Sequence, residues 1–190
     1  FRSTRVPYKN LQLVGGVSLL RRAVLKAVQV NADVFVDSDN QLVLDQVSDL
    51  CETILRPSEM GTNDTDGNDL LGWAIDINPG YSKYLQVSCC SPFLRVSTIQ
   101  DCINALDDGP NALTMQKRTE YVWDCSHVPQ YDIDKLPNSF DKAPYFIETH
   151  GVYGVRDYWW QEEKRRASRG AIFVLTEGMF EEFDINTLQD

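Results

Sequence analysis

Residues 17–30 read VSLLRRAVLKAVQV, and Leu20, Val24, Ala27 and Val28 fall on one face at helical spacing. The next apolar run, DVFVDSD, is short and rich in β-branched residues, which predicts a buried strand over about 33–37. NQLVLDQVSDL then predicts a second helix, and CETILRP a second strand ended by Pro57. Beyond the polar loop SEMGTNDTDGND comes a helix over about 68–77, closed by Asn78-Pro79-Gly80, and then the strand KYLQVS. SPFLR leads into a further helix, STIQDCINALDDG, with Ser97 or Thr98 as its N-cap. Helix and strand in turn imply right-handed crossovers and an α/β fold with a mostly parallel sheet. From NALTMQK onward the rhythm changes. EYVWDC, THGVYGV, AIFVLT and FEEFDI have strand character, and DYWWQEEKRRAS predicts one helix. DIDKLPNSFDKAPYF has neither period and is expected to leave the main sheet.

The 190 residues suit one domain over 1–190 with a real core. A formal charge of -10 argues against general nucleic-acid binding. No apolar run approaches the ~20 residues of a membrane helix, so no membrane partner is expected. The cysteines are Cys51, Cys89, Cys90, Cys102 and Cys125; their number is odd and their spacing is not that of a zinc site. They read as reduced thiols in a cytoplasmic protein.

Charge is distributed unevenly. The first carboxylate is Asp33, and before it stand Arg2, Arg5, Lys9, Arg21, Arg22 and Lys26. Local positive charge beside Ser3, Thr4 and Gly15-Gly16 is what an anionic ligand needs; the other reading is a solvated basic face. STRVPYKN lacks the spacing of a Walker loop. In an open α/β sheet ligands bind beyond the carboxyl ends of strands, where the opening loop, the TNDTDGND loop, VSCCSP and DINT are placed. Asp37-Ser38-Asp39 could be a metal pair, but Asx-rich turns are common after strands. Trp159-Trp160 reads as core or dimer contact, His127 as a loop residue, and EEKRR (162–166) as a solvated helix face.

STRVPYKNLQLVGGVSLL resembles the opening motif of the sugar-acid cytidylyltransferases, the family of acylneuraminate (CMP-sialic acid) and CMP-Kdo synthetases. RPSEMGTNDTDGNDLLGWAI, YLQVSCCSPFLRVSTIQDCI and EEFDINTLQD resemble later family segments in the same order. The resemblance implies a Rossmann-like, GT-A-like nucleotidyltransferase fold, a three-layer sandwich with a small dimerisation excursion over 126–150. It implies transfer of CMP from CTP to the anomeric hydroxyl of a sugar acid, with release of pyrophosphate. Mg²⁺ is the implied cofactor, CTP and a sialic acid-like sugar the substrates, and a homodimer the assembly.

By the same resemblance, Arg5, Lys9 and Asn10 would hold the triphosphate, with Ser3 as the loop serine. Arg56, Thr65 and Asn68 would read the nucleoside. Gln86, Ser91 and His150 would line the sugar pocket, with Pro92 and Arg95 beside Ser91. Asp184 would bind metal. Phe93 interrupts the family's Ser-Pro-Leu-Arg, and Asn186 stands at the second metal aspartate. The family's first strand and the arginine before its loop have no counterpart here, so a preceding piece is expected. Asn186 keeps a second reading open, a weak or non-catalytic nucleotide- or sugar-binding descendant. A third is a cytidylyl- or uridylyltransferase acting on a sugar or polyol phosphate.

Overall fold

The computed structural model describes residues 6–62, 64–138, 140–178, 180–187 and 189–190. A short antiparallel pair, β1 (Leu13–Val14) and β2 (Val17–Ser18), precedes α1 (Leu19–Ala27). Then come β3 (Phe35–Ser38), α2 (Gln41–Leu44), β4 (Glu52–Leu55), α3 (Gly67–Ile77), β5 (Lys83–Val87) and α4 (Val96–Ala105). The chain closes through β6 (Asn111–Arg118), β7 (Tyr145–Arg156), α5 (Asp157–Glu163) and β8 (Ile172–Leu175). Helix starts follow local chemistry. The Ser18 hydroxyl accepts the Arg21 N–H at 3.2 Å, and Asp66 and Asp69 form a reciprocal capping box on α3.

The main sheet has the order β5-β7-β6-β8. β7 is antiparallel to both neighbours and β8 is parallel to β6, so β5, β6 and β8 run one way and β7 runs against them. The sheet is therefore mixed rather than mostly parallel throughout. Helices cover both faces, as a three-layer arrangement requires. On one face, Ile99, Cys102 and Leu106 of α4 pack on Ala112, Val152 and Val174. On the other, Leu71 and Ile75 of α3 and Trp160 of α5 pack on Val155. Val152 and Val155 can serve opposite faces because side chains alternate along a strand.

The parallel pair β3-β4 forms a separate sheet, joined to α1 and α2 through Leu20, Val24, Val43 and Val47. Between β3 and β5 lies a cavity of about 890 Å³. Its lower part is apolar, walled by Ala23, Val24 and Ala27 of α1, Leu70 and Ala74 of α3, and Ile99 and Ile103 of α4. Among the described residues no strand enters this gap.

Several expectations are corrected. The second helix is only four residues, Gln41–Leu44, and turns carry the chain to residue 50. The helix over 157–168 stops at Glu163, where Lys164 takes a left-handed φ of 51°. Neither Ser97 nor Thr98 caps α4, since both lie inside it. The cap comes from Glu181, 4 % exposed, whose carboxylate accepts the Arg95 N–H at 3.0 Å and the Thr98 hydroxyl. FEEFDI is therefore not a strand but a strap that caps a helix with its inward glutamate. EYVWDC makes only an isolated bridge, Trp123 to Pro129. The segment outside the sheet spans 119–144 rather than 126–150, because β7 already begins at Tyr145.

Candidate active site

Three chain segments meet beyond the carboxyl end of β5. Lys9 sits in a one-turn 3-10 helix, Lys9–Leu11, and its Nζ donates to the Ile185 carbonyl at 2.9 Å. The Ile185 N–H in turn donates to the Cys90 carbonyl at 2.9 Å. These two bonds pin the C-terminal strap to the turn after β5 and bring Asp184 there. The Asn186 amide donates to the Asp184 carboxylate at 2.8 Å, so the two side chains do meet, although no strand carries them. Asn10 joins the group through a 3.9 Å contact between its Oδ1 and the Cys90 Sγ.

The acid-free opening stretch does not deliver all its cations here. Arg21 forms an exposed ion pair with Asp49 at 2.6 Å, Arg22 bonds the Val14 carbonyl, and Lys26 bonds the Pro92 carbonyl. Burial, then the neighbouring Arg22, lowers the Lys26 pKa to about 8. Ser3 and Arg5 lie outside the described residues.

The adjacent cysteines matter more than the sequence suggested. The Cys89 thiol donates toward Cys90 and, with Lys9, holds the Cys90 pKa below the ordinary thiol range, while Cys89 is pushed up. Burial drives Cys102 up to about 12. A lowered pKa means that the thiolate, the reactive form, is present at a lower pH. Brief iodoacetamide treatment at pH 7 should thus alkylate Cys90 ahead of exposed Cys125 and spare Cys102, as read by peptide mass spectrometry. CTP should slow the reaction if this turn faces the nucleotide. Equal labelling of Cys90 and Cys125, unchanged by Lys9→Ala, would remove this electrostatic picture.

The polar wall of the cavity comes from β5 and β7. Met115 pairs with Glu148 and Leu113 with Tyr153, so five residue steps of β7 face two of β6. The bulge is stitched by Thr114, whose hydroxyl oxygen accepts the Thr149 hydroxyl at 2.8 Å and the Val152 N–H at 3.0 Å. Bulges re-aim side chains. Here His150, at a left-handed φ of 57°, turns to line the cavity. Its Nδ1 lies 2.7 Å from the Tyr153 hydroxyl, which donates to Glu148 at 2.7 Å. Burial, reinforced by Glu148, raises the Tyr153 pKa, so the phenol keeps its proton. That proton serves Glu148, so the phenol oxygen accepts from His150 Nδ1, and in a neutral imidazole so arranged Nε2 is the acceptor.

Gln86 and Arg166 complete this wall, with the Arg166 Nη1 donating to the Gln86 Oε1 at 2.6 Å. Asn68 is not among the cavity-lining residues but supports Arg166 from behind, its Oδ1 accepting the Arg166 backbone N–H at 3.0 Å. Arg56 lines the cavity but pairs with Asp37, whose carboxyl burial raises while the guanidinium opposes that rise. Thr65 faces Thr62 at 3.5 Å and does not reach the cavity. Ser91 is 4 % exposed and away from the cavity lining, and its hydroxyl has no partner among the described residues. Arg166 is the main correction. It does not lie on a solvated helix face, because α5 has already ended and the chain turns it inward.

A protein-family model described as cytidylyltransferase matches residues 1–163. Among solved structures, a CMP:2-keto-3-deoxy-manno-octonic acid synthetase complexed with CTP superposes with a TM-score of 0.67 at 18 % identity, over 97 % of this chain and 89 % of that one. A 4-diphosphocytidyl-2C-methyl-D-erythritol synthase from Anaerococcus prevotii DSM 20548 superposes with a TM-score of 0.61 at 14 % identity, over 93 % and 84 %. At these identities the two likenesses concern the fold. No helix among the described residues is long and apolar enough to cross a membrane.

Proposed function

The chain belongs to the cytidylyltransferase family, and from that premise we propose that it transfers CMP from CTP to the anomeric hydroxyl of a sialic acid-like sugar acid. The observation that carries this reading is the convergence of Lys9, Asn10 and Asp184 beyond β5, beside a polar wall holding Gln86 and His150. The first group suits a triphosphate, the second a polyhydroxylated acceptor. The relative solved with CTP is named for a sugar acid, which favours the same substrate class.

In this reading Lys9 neutralises phosphate charge and Asn10 hydrogen-bonds the nucleotide. Gln86 orients the sugar. His150 Nε2 accepts the proton of the attacking hydroxyl, while Tyr153 and Glu148 keep the imidazole in the required tautomer. The new bond joins the sugar oxygen to the α-phosphorus, and the α–β anhydride bond breaks to release pyrophosphate. Asp184 and the carbonyl oxygen of Asn186 would hold Mg²⁺. One carboxylate and one neutral oxygen, completed by water and phosphate oxygens, suit that ion. When bound, Mg²⁺ offsets charge that develops on the phosphates. Among the described residues no group of three or more His, Cys, Asp or Glu is built to hold a metal unaided.

The segment over 119–144 exposes Trp123, Ile133, Leu136 and Phe140, the last at 96 %. Such apolar exposure suits a homodimer contact. The test is pyrophosphate release from CTP, Mg²⁺ and a panel of sugar acids, with light scattering of the same sample. Release together with twice the 21.7 kDa chain mass is expected. Asn186 favours a second reading, a non-catalytic binding protein; CTP binding by calorimetry with no release from any sugar acid would establish that one instead.

A further inference from the structure

Cys89 and Cys90 stand side by side after β5, and transfer of CMP has no use for a thiol. Cys89 lines the cavity, whereas Cys90 meets the opening loop. The Cys90 Sγ accepts from the Cys89 thiol and from the Lys9 ammonium, and lies 3.9 Å from the Asn10 Oδ1. Both cysteines are half-buried rather than sealed. The Cys90 backbone is bonded on both sides: its N–H donates to the Ser88 hydroxyl at 3.2 Å, and its carbonyl accepts the Ile185 N–H at 2.9 Å. No other cysteine of the chain has a second cysteine beside it in sequence, and burial pushes the thiols of both Cys51 and Cys102 up.

We propose that Cys89 and Cys90 are a hydroperoxide-reactive pair that closes to a disulfide and loosens the C-terminal strap. Lys9 decides between the chemistries open to two adjacent sulfurs. A soft cation would be repelled by the ammonium, whereas a peroxide finds in it a donor for the oxygen it must expel. The ionised Cys90 sulfur attacks one peroxide oxygen; the S–O bond forms, the O–O bond breaks, and the departing oxygen regains the proton that Cys90 gave up. The Cys89 sulfur then attacks the sulfenic sulfur, the S–S bond forms, and the oxygen leaves as water with the Cys89 proton. Two thiols thus supply the two electrons that reduce the peroxide. A disulfide between neighbours closes a small, strained ring through one peptide unit, and strain makes the bond easy to reduce again, as a reversible device needs. Closure turns the Cys90 peptide, on which the Ile185 bond depends, and takes the sulfur from Lys9. The redox step stands without the transferase reading; its effect on CTP rests on that reading.

The purified protein is given one equivalent of hydrogen peroxide at pH 7, alkylated with iodoacetamide and read by peptide mass spectrometry. The peptide holding both cysteines should lose about 2 Da, two hydrogens, and resist alkylation until dithiothreitol is added, before Cys125 is touched. Amide exchange at Ile185 should rise about fivefold, the worth of one hydrogen bond, and CTP affinity should fall roughly tenfold. Cys89→Ser should stop at the sulfenic acid, trapped as its dimedone adduct, with Ile185 exchange unmoved. Cys90→Ser should leave Cys89 a thiol at the same dose. A pair that survives the peroxide, oxidation that begins at Cys125, a wild-type product that halts at the sulfenic acid, or a disulfide with unmoved Ile185 exchange overturns the proposal. A closed disulfide with faster Ile185 exchange and unchanged CTP affinity would leave the redox pair standing and sink the nucleotide role of this end of the site.

Discussion

Lys9→Ala is expected to weaken CTP binding by about 1.5–3 kcal/mol, roughly 10- to 150-fold. The ammonium joins the opening stretch to the junction of the 89–90 turn with the C-terminal strap. Its removal subtracts a charge from the end proposed to hold the phosphates and also cuts the tether to Ile185. The two effects separate by measurement. Calorimetric CTP affinity reports the charge, and amide exchange at Ile185 reports the tether. An unchanged affinity would show that the opening loop does not hold the nucleotide. Lys9→Arg, which keeps the charge but changes its reach, should recover part of the loss.

If the proposed Mg²⁺ site is right, Asp184→Ala should reduce turnover by at least about 100-fold, since it removes the carboxylate that would hold the ion and the charge stabilisation of several kcal/mol it would supply. Asn186→Asp should act in the other direction on one parameter. A second carboxylate attracts the cation directly, so the Mg²⁺ concentration for half-maximal activity should fall. In the metal-free protein the same change replaces the 2.8 Å amide-to-carboxylate bond with like-charge repulsion, at a cost of about 1 kcal/mol in a urea titration. A Mg²⁺ titration of both variants decides the matter. An active Asp184→Ala, together with an unmoved Mg²⁺ dependence in Asn186→Asp, would transfer attention to the Asp37-Ser38-Asp39 turn.

Elements whose chemistry is local were legible in the sequence. α1, α3 and α4 show their period and β3 and β5 their apolar runs, and each lies within a few residues of its expected place. β6 was assigned no strand because its buried residues include Asn111 and Thr114. Those polar groups are satisfied far along the chain, Asn111 by Arg166 and Ser168 and Thr114 by the β7 bulge, so local reading sees polarity where the fold has core. FEEFDI looked strand-like for the opposite reason. Its inward Glu181 answers to the N-terminus of α4, a partner 83–86 residues away in the chain. In the site, Lys9, Asn10, Gln86, His150 and Asp184 were nameable from the motifs that carry them. Arg166 was hidden in a charge run, and only the early end of α5 shows that the run splits, with Arg165 outward and Arg166 inward.

The strap over 180–187 acts as a clasp at the far end of the chain. Its Ile185 carbonyl accepts from Lys9 and its Ile185 N–H donates to the Cys90 carbonyl, while Glu181 accepts the Arg95 N–H and the Thr98 hydroxyl. Segments far apart in sequence are thus fastened by one short stretch, and opening it would release the start of α4, the 89–90 turn and the opening loop as a single cooperative unit.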